Sequence, residues 1–193
     1  MSKREAEREG PLEIPLVGDL SENEADWSDK LLSIEPGGQC ILYFDSQGGC
    51  PYGAIALMSL IRLRGLDATG VVTGECSSAA LWPLAACRRR LVTPLSILLF
   101  HPMKWQSEEN VGLLEAAEWA RHFGALEQDM DALLGRLFRV TPEKIAQWTH
   151  AGRYVGGGEL AAAGLAELVE LDALPFLRGS TQKQTNPKRK RGS

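Results

Sequence analysis

The chain has 193 residues, of which 44% are hydrophobic and 24% charged; this globular composition predicts one domain that buries roughly two-thirds of its unfolded surface. Its net charge of −4 is unevenly placed, because the last fifteen residues hold five of the 21 Lys and Arg residues and no acid, leaving 16 basic against 25 acidic residues elsewhere. Such an acidic body is a poor platform for nucleic acid, so no nucleic-acid partner is expected.

Hydropathy and the cysteine pattern predict the cellular compartment in which the protein acts. No apolar run approaches the ~18 residues of a membrane-spanning helix, and the polar N-terminus has no secretory apolar core. The four cysteines show no CxxC spacing, which predicts free thiols. No metal site and no cofactor are expected. Together these features predict a cytoplasmic protein without membrane contact.

Strands and helices alternate along the first half of the chain. Apolar patterning predicts strands at 12–18, 40–44, 68–73 and 95–100, and helices at 21–34, 52–64 and 79–87. Ser21 and Glu24 are spaced as a capping box for the first helix. The alternation predicts an α/β fold with a mainly parallel sheet.

The second half is dominated by a long helical stretch at 108–138 with an extended apolar stripe. It could project as a handle that packs against another subunit, or it could pack on its own domain. A further helix is predicted after Thr141, and a short helix at 159–163 ends the domain. The predicted organisation is a flexible lead at 1–11, a domain at 12–178 and a disordered basic tail at 179–193; a basic tail can also contact nucleic acid or signal import.

Candidate catalytic groups lie at the predicted carboxyl ends of strands, where ligands collect in open α/β sheets. Ser78 lies where a strand runs into a helix and becomes a nucleophile if a base removes its proton. His101 ends another strand and could be that base. The N–H groups of Gly49 and Ala79 could hold a developing oxyanion. The set predicts acyl transfer by a serine peptidase, although such a Ser is also a common N-cap and such a His is often structural.

Cys76 lies two residues before Ser78, so it is a second candidate nucleophile. A cysteine in an apolar strand is, however, usually a small buried residue that serves packing. We therefore predict that Cys76 is buried and takes no part in the chemistry.

These motifs resemble those of the Clp protease proteolytic subunit (ClpP) family, within the ClpP/crotonase fold. Segment 43–49 is similar to the family's strand followed by Asn-Ser-Pro-Gly-Gly. Segment 74–78 is similar to the family's Gly-x-Ala-Ala before the nucleophile, and segment 99–102 to Met-Ile-His-Gln-Pro. Segment 153–166 matches the late Arg-Phe-Leu-Ser-Ala-x-Glu-Ala-x-x-x-Gly-Leu-Val. The resemblance runs from residue 14 to residue 171.

The resemblance implies a ββα spiral core with a projecting handle helix at 108–138. It also implies peptide or unfolded protein substrates, with heptameric rings that pair into a 14-mer. The usual Gln between the base and the following Pro is absent. The short charged lead at 1–11 does not match the family's axial loops, so docking of an unfolding ATPase is not expected.

The family's third catalytic residue is an Asp, at the position that Gly152 occupies here. Glu159 is a candidate replacement, a Ser–His dyad is a second option, and loss of activity is a third. The primary prediction is a ClpP-like serine endopeptidase. The alternatives are a catalytically impaired ring component or scaffold, and a crotonase-type acyl-CoA enzyme, which shares the fold and a two-N–H oxyanion hole.

Overall fold

A mainly parallel sheet forms the centre of the computed structural model, which describes residues 10–104, 106 and 110–172. Five strands pair in the order β1–β2–β3–β4–β7, each parallel to its neighbour. They are β1 (Leu12–Asp19), β2 (Gln39–Gly48), β3 (Asp67–Cys76), β4 (Arg89–Val92) and β7 (Glu167–Leu168). β5 (Ile97–Phe100) meets the end of β3 and pairs antiparallel with β6 (Arg153–Gly156). The predicted parallel α/β architecture is confirmed.

Helices connect successive strands. Within the described residues they are α1 (Glu24–Leu32), α2 (Pro51–Leu63), α3 (Leu81–Ala86), α4 (Leu113–Phe138), α5 (Pro142–Thr149) and α6 (Gly157–Ala162). A single 3-10 turn, Ser78–Ala80, separates β3 from α3. None of the helices in the described ranges is both long and apolar enough to cross a bilayer.

The core lies on both faces of the central strands. β2 carries a continuous apolar run at 40–44, and Phe44 within it is completely buried, as expected of a parallel strand covered on two sides. Phe100, the last residue of β5, packs against Trp148 of α5 with ring centroids 5.0 Å apart. This aromatic contact anchors the strand that leads directly into His101.

α4 divides into an exposed first half and a second half that packs on its own domain. From Leu113 to Asp129 none of its side chains is buried, and Leu113 and Leu114 are 85% and 87% exposed. Beyond that point Met130 and Leu134 are buried in the core, and the Met130 carbonyl accepts a hydrogen bond from Trp82 Nε1 at 3.0 Å. The first half is therefore the handle and the second half is core; the predicted start at 108 lies outside the described residues.

The predicted capping box at the start of α1 is wrong. The helix begins at Glu24 with Asn23 as its N-cap and has no side-chain cap hydrogen bond. The Ser21 hydroxyl instead accepts the N–H of Cys50 at 3.0 Å, which ties the turn after β1 to the loop before α2. Of the predicted terminal segments, the lead at 1–11 falls largely, and the tail at 179–193 entirely, outside the described residues.

Candidate active site

Two buried serines join the carboxyl ends of β2, β3 and β5. The Ser77 hydroxyl accepts the N–H of Leu99 at 3.1 Å, and the Ser77 N–H donates to the Ser46 carbonyl at 2.9 Å. The Ser46 hydroxyl accepts the N–H of Gly48 at 3.1 Å and donates to the Gly18 carbonyl at 2.6 Å. Each buried hydroxyl thus satisfies backbone groups that strand pairing leaves open. Sequence reasoning missed both serines; the available signal was a hydroxyl at the end of each apolar strand.

Ser78 has a left-handed backbone with φ of 53°. A residue with a Cβ adopts this conformation at an energetic cost, and such strain is concentrated at functional sites. The sharp turn between β3 and α3 resembles, in its geometry, the strand-to-helix elbow that exposes a nucleophilic serine. Sequence placed Ser78 at this turn, but nothing in the residue pattern predicted the positive φ.

The glycine loop after β2 packs directly against this turn. Gly48 has φ of +101°, and a Cβ built on it would lie 2.7 Å from the Cβ of Ser78 and 2.9 Å from the nitrogen of Ala79. Gly49 has φ of +139°, and a Cβ there would collide with the Asp19 side chain. Only glycine fits both positions, so the loop backbone approaches the serine without an intervening side chain.

One small cavity of about 60 Å³ brings together the four residues predicted for the chemistry, namely Ser78, His101, Gly49 and Ala79. Its volume accommodates a few water-sized groups, and therefore a reacting carbonyl rather than a whole ligand. The other lining residues are Pro51, Trp82, Met103, Lys104, Glu127 and Asp131. Among the described residues no direct hydrogen bond joins Ser78 Oγ to the His101 ring.

The protonation pattern of His101 follows from its backbone contact. His101 Nδ1 lies 2.5 Å from the carbonyl oxygen of Pro102. Because a carbonyl can only accept, Nδ1 carries the hydrogen, and Nε2 of the neutral ring keeps its lone pair. A lone pair on Nε2 is what a general base needs.

The two positions discussed for a third catalytic member lie elsewhere. Gly152 is exposed, in a turn with φ of +63°. The Glu159 carboxylate pairs with Arg153 at 2.8 Å, and Glu159 is not among the residues that line the cavity. The structure therefore gives Glu159 a different partner and does not bring it to His101.

Two carboxylates that the sequence reasoning missed reach the cavity from α4. Glu127 Oε1 accepts the N–H of Met103 at 2.5 Å. Asp131 follows four residues later, and burial together with the negative charge of Glu127 raises the pKa of Asp131 to about 6, with His150 acting in the opposite direction. The i, i+4 spacing of these acids places both on one face of the helix, but it does not show that this face meets the cavity.

Cys76 is completely buried, as predicted, and its thiol donates to the Ala80 carbonyl at 3.3 Å. Burial raises its pKa well above the ordinary value. A thiol without access to solvent and with so little thiolate is not a nucleophile.

Comparison with known proteins identifies the fold. No protein-family model and no curated protein sequence matches the chain. Among solved structures, the chain is similar to a mutant of ClpP1 from Listeria monocytogenes, with 18% sequence identity and a TM-score of 0.72 over 82% of this chain and 91% of that one. The chain therefore has the ClpP/crotonase-like α/β fold that the motifs predicted.

Proposed function

We propose that the chain is a serine endopeptidase that uses Ser78 as nucleophile and His101 as base. The observation that carries the proposal is the convergence, in one cavity, of a serine with a left-handed backbone and a histidine whose Nδ1 faces a backbone carbonyl. Each group comes from a different strand end, and strained residues concentrate at functional sites. Peptides or unfolded proteins are the proposed substrates.

The proposed reaction begins when Ser78 Oγ attacks the peptide carbonyl and His101 Nε2 takes the hydroxyl proton. The N–H groups of Gly49 and Ala79 hold the oxyanion of the tetrahedral intermediate. His101 then gives its proton to the leaving amine, which departs and leaves an acyl group on Ser78. Water, deprotonated by the same nitrogen, hydrolyses this ester and restores the enzyme.

Two backbone features support the oxyanion assignment. Ala79 lies in the first turn after β3, where N–H groups have no acceptor within the helix. The Gly48 backbone approaches the Ser78 turn so closely that a Cβ has no space. The loop and the turn are thus fixed relative to each other, which is the preorganisation that transition-state stabilisation requires.

The proposal is tested by labelling with a fluorophosphonate, which reacts with activated serines, followed by mass mapping of the adduct. We expect one adduct on Ser78, lost in Ser78→Ala and strongly slowed in His101→Ala. Ser59→Ala, a half-buried serine of α2, is the matched control and should label normally. Equal labelling in Ser78→Ala would remove this residue from the site.

A second candidate function is a catalytically impaired ring component. Gly152 favours it, because the family position for the acid has no carboxylate, and loss of the acid from a serine protease triad can cost about 10,000-fold in rate. Slow labelling of Ser78 combined with no cleavage of unfolded casein would select this function over the first.

We further propose a homo-oligomer of heptameric rings, which can pair into a 14-mer. The exposed leucines Leu113 and Leu114 support it, since apolar side chains of this size at a helix end are typical of interaction surfaces. Native mass measurement tests the proposal; a monomer at micromolar concentration would reject it.

A further inference from the structure

The peptide unit that joins Pro102 to Met103 is hydrogen-bonded on both sides. Its carbonyl accepts from His101 Nδ1 at 2.5 Å, and its N–H donates to Glu127 Oε1 at 2.5 Å. The described chain has no cis peptide bond, so this C=O and N–H point in opposite directions from one plane. The two bonds therefore form a continuous path from the imidazole to a carboxylate of α4.

We propose that Glu127 is a positioning residue that acts on His101 through this peptide, in place of the acid that the chain lacks at Gly152. The inference rests on the proposed function, because it concerns His101 as the base. The proposal gives α4 a part in the chemistry of a site whose other groups all lie at the ends of strands.

Hydrogen bonds in a chain polarise one another, the more so away from water. A carboxylate at the N–H side draws the peptide hydrogen toward itself and increases electron density on the Pro102 oxygen. That oxygen becomes a stronger acceptor for the Nδ1 hydrogen, which fixes the tautomer and stabilises the imidazolium that forms when Nε2 takes a proton. The effect is weaker than that of a carboxylate touching the ring, because no full charge contacts the imidazole.

Three other titratable or charged groups lie around the path. Asp131, on the same helix face, binds its proton more tightly partly because Glu127 is negative. Lys104 lines the same cavity from the loop after β5, and His150 acts on Asp131 from the end of α5. Glu127 is the carboxylate that accepts the backbone N–H of Met103.

The test compares Glu127→Gln with Asp131→Asn, because each variant removes one negative charge from the same cavity wall. The Gln oxygen can still accept the Met103 N–H, so folding and melting temperature should remain close to those of the parent. We expect ¹⁵N NMR of the neutral His101 ring to show a smaller share of the Nδ1–H tautomer in Glu127→Gln than in the parent. The fluorophosphonate rate at its pH plateau should fall about 3- to 10-fold.

Asp131→Asn should change both quantities by less than half as much, because Asp131 makes no hydrogen bond to the relaying peptide. Equal changes in the two variants would mean that the charges act through space, and they would overturn the proposal, as would an unchanged His101 tautomer in Glu127→Gln. The NMR measurement does not need catalysis. If the parent is not labelled, the proposed peptidase activity is therefore rejected. If the His101 tautomer is unchanged in Glu127→Gln, only the role of Glu127 is rejected.

A second cavity, at the opposite end of the sheet, carries an independent inference. It has a volume of about 720 Å³ and lies by the amino ends of β3 and β4 and the carboxyl end of α4. Its charged lining consists of five arginines and one carboxylate, namely Arg62, Arg88, Arg90, Arg136, Arg139 and Asp67. Asp67 lies 3.4 Å from Arg88, and no ion pair within the described ranges involves Arg62, Arg136 or Arg139.

Two arginines of this cavity, Arg90 and Arg139, lie close enough for their positive charges to repel each other. Arg90 is fixed by hydrogen bonds to the carbonyls of Leu165 at 2.7 Å and Cys87 at 2.8 Å, with its guanidinium over the Phe138 ring. Burial lowers the pKa of Arg90, and the positive charge of Arg139 acts in the same direction. An anion in the cavity would relieve this repulsion.

We infer that this cavity binds a small anion with two or more phosphate groups. Its volume falls within the roughly 300–1,000 Å³ of small-molecule sites. Five arginines line it, and guanidinium groups recognise phosphate oxygens through paired hydrogen bonds. The acidic body of the chain makes a long nucleic acid a poorer fit.

Calorimetric titration with inorganic tripolyphosphate tests this inference, and a parallel titration with a nucleoside triphosphate shows whether a base adds affinity. The double variant Arg136→Ala, Arg139→Gly removes two guanidinium groups, and glycine suits the left-handed backbone of Arg139, whose φ is 60°. We expect at least tenfold weaker binding than in the parent. Arg121→Ala is the control, since Arg121 pairs with Glu118 on the exposed part of α4. No binding at millimolar tripolyphosphate, or equal binding by the double variant, would overturn the inference.

Discussion

Gly48 lies directly against Ser78: a Cβ on the glycine would stand 2.7 Å from the Cβ of the serine. We expect Gly48→Ala to displace the Ser78 turn, lower the free energy of unfolding by about 2 kcal/mol or more, and slow fluorophosphonate labelling. Urea unfolding and labelling rates measure the two effects. Gly124→Ala is the control, because its Cβ would meet open space on α4 and should stabilise the helix by about 0.5–1 kcal/mol. Normal labelling of Gly48→Ala would contradict the close packing.

Asp131 should make stability depend on pH. Its pKa is raised from 3.8 to about 6 in the folded protein, so the folded state binds this proton more tightly than the unfolded chain. The resulting stabilisation is present below about pH 4 and is lost as pH rises through 6.

Asp131→Asn removes this dependence. One pKa unit corresponds to about 1.4 kcal/mol, and partial solvent access reduces the realised value. We therefore expect Asp131→Asn to be more stable than the parent by about 1 kcal/mol or more at pH 7.5 and nearly equal to it at pH 4. Chemical denaturation at the two pH values measures the difference; a gap that does not change with pH would disprove the assignment.

The four cysteines should differ widely in reactivity toward a thiol reagent. Burial raises the pKa of Cys40 to about 11, and it also raises the pKa values of Cys76 and Cys87. Cys50 is only half-buried, at the start of α2. At pH 8 the native protein should therefore alkylate first at Cys50, with the other three reacting only after denaturation. Mass mapping checks this, and early modification of Cys76 would reopen its candidacy as a nucleophile.

Glu159 should be dispensable for the chemistry. Its carboxylate is paired with Arg153 on the surface, and exposed pairs of this kind contribute about 0–1 kcal/mol to stability. Glu159→Gln should label with fluorophosphonate at the parent rate and melt within a few degrees of it. A rate as low as that of His101→Ala would instead restore Glu159 as the third catalytic member.

The fold could be predicted from the sequence because a continuous apolar run indicates a segment that is buried on both faces. Segment 40–44 is continuous and apolar, and it forms the centre of β2, covered on both faces. The predicted cap at Ser21 failed because its hydroxyl binds the N–H of Cys50, a residue 29 positions away. Periodicity reports which face of an element is apolar, but it does not report long-range hydrogen bonds.

The same limit explains what was missed at the site. Ser78 and His101 could be placed at strand ends from local patterns. Glu127 could not, because α4 carries acids along much of its exposed surface and only the folded chain shows which one meets Met103. The hydrogen bond from the Leu99 N–H to the Ser77 hydroxyl could not be predicted either, because sequence spacing does not connect these two residues.

α4 is an unbroken helix of 26 residues without proline, about 39 Å long at 1.5 Å per residue. Its free tip stands in solvent at Leu113 and Leu114, while Glu127 grips the main chain beside the imidazole. The helix therefore connects its exposed end rigidly to the segment that follows His101. A partner bound at Leu113 and Leu114 would, through this connection, bear on the position of the His101 ring.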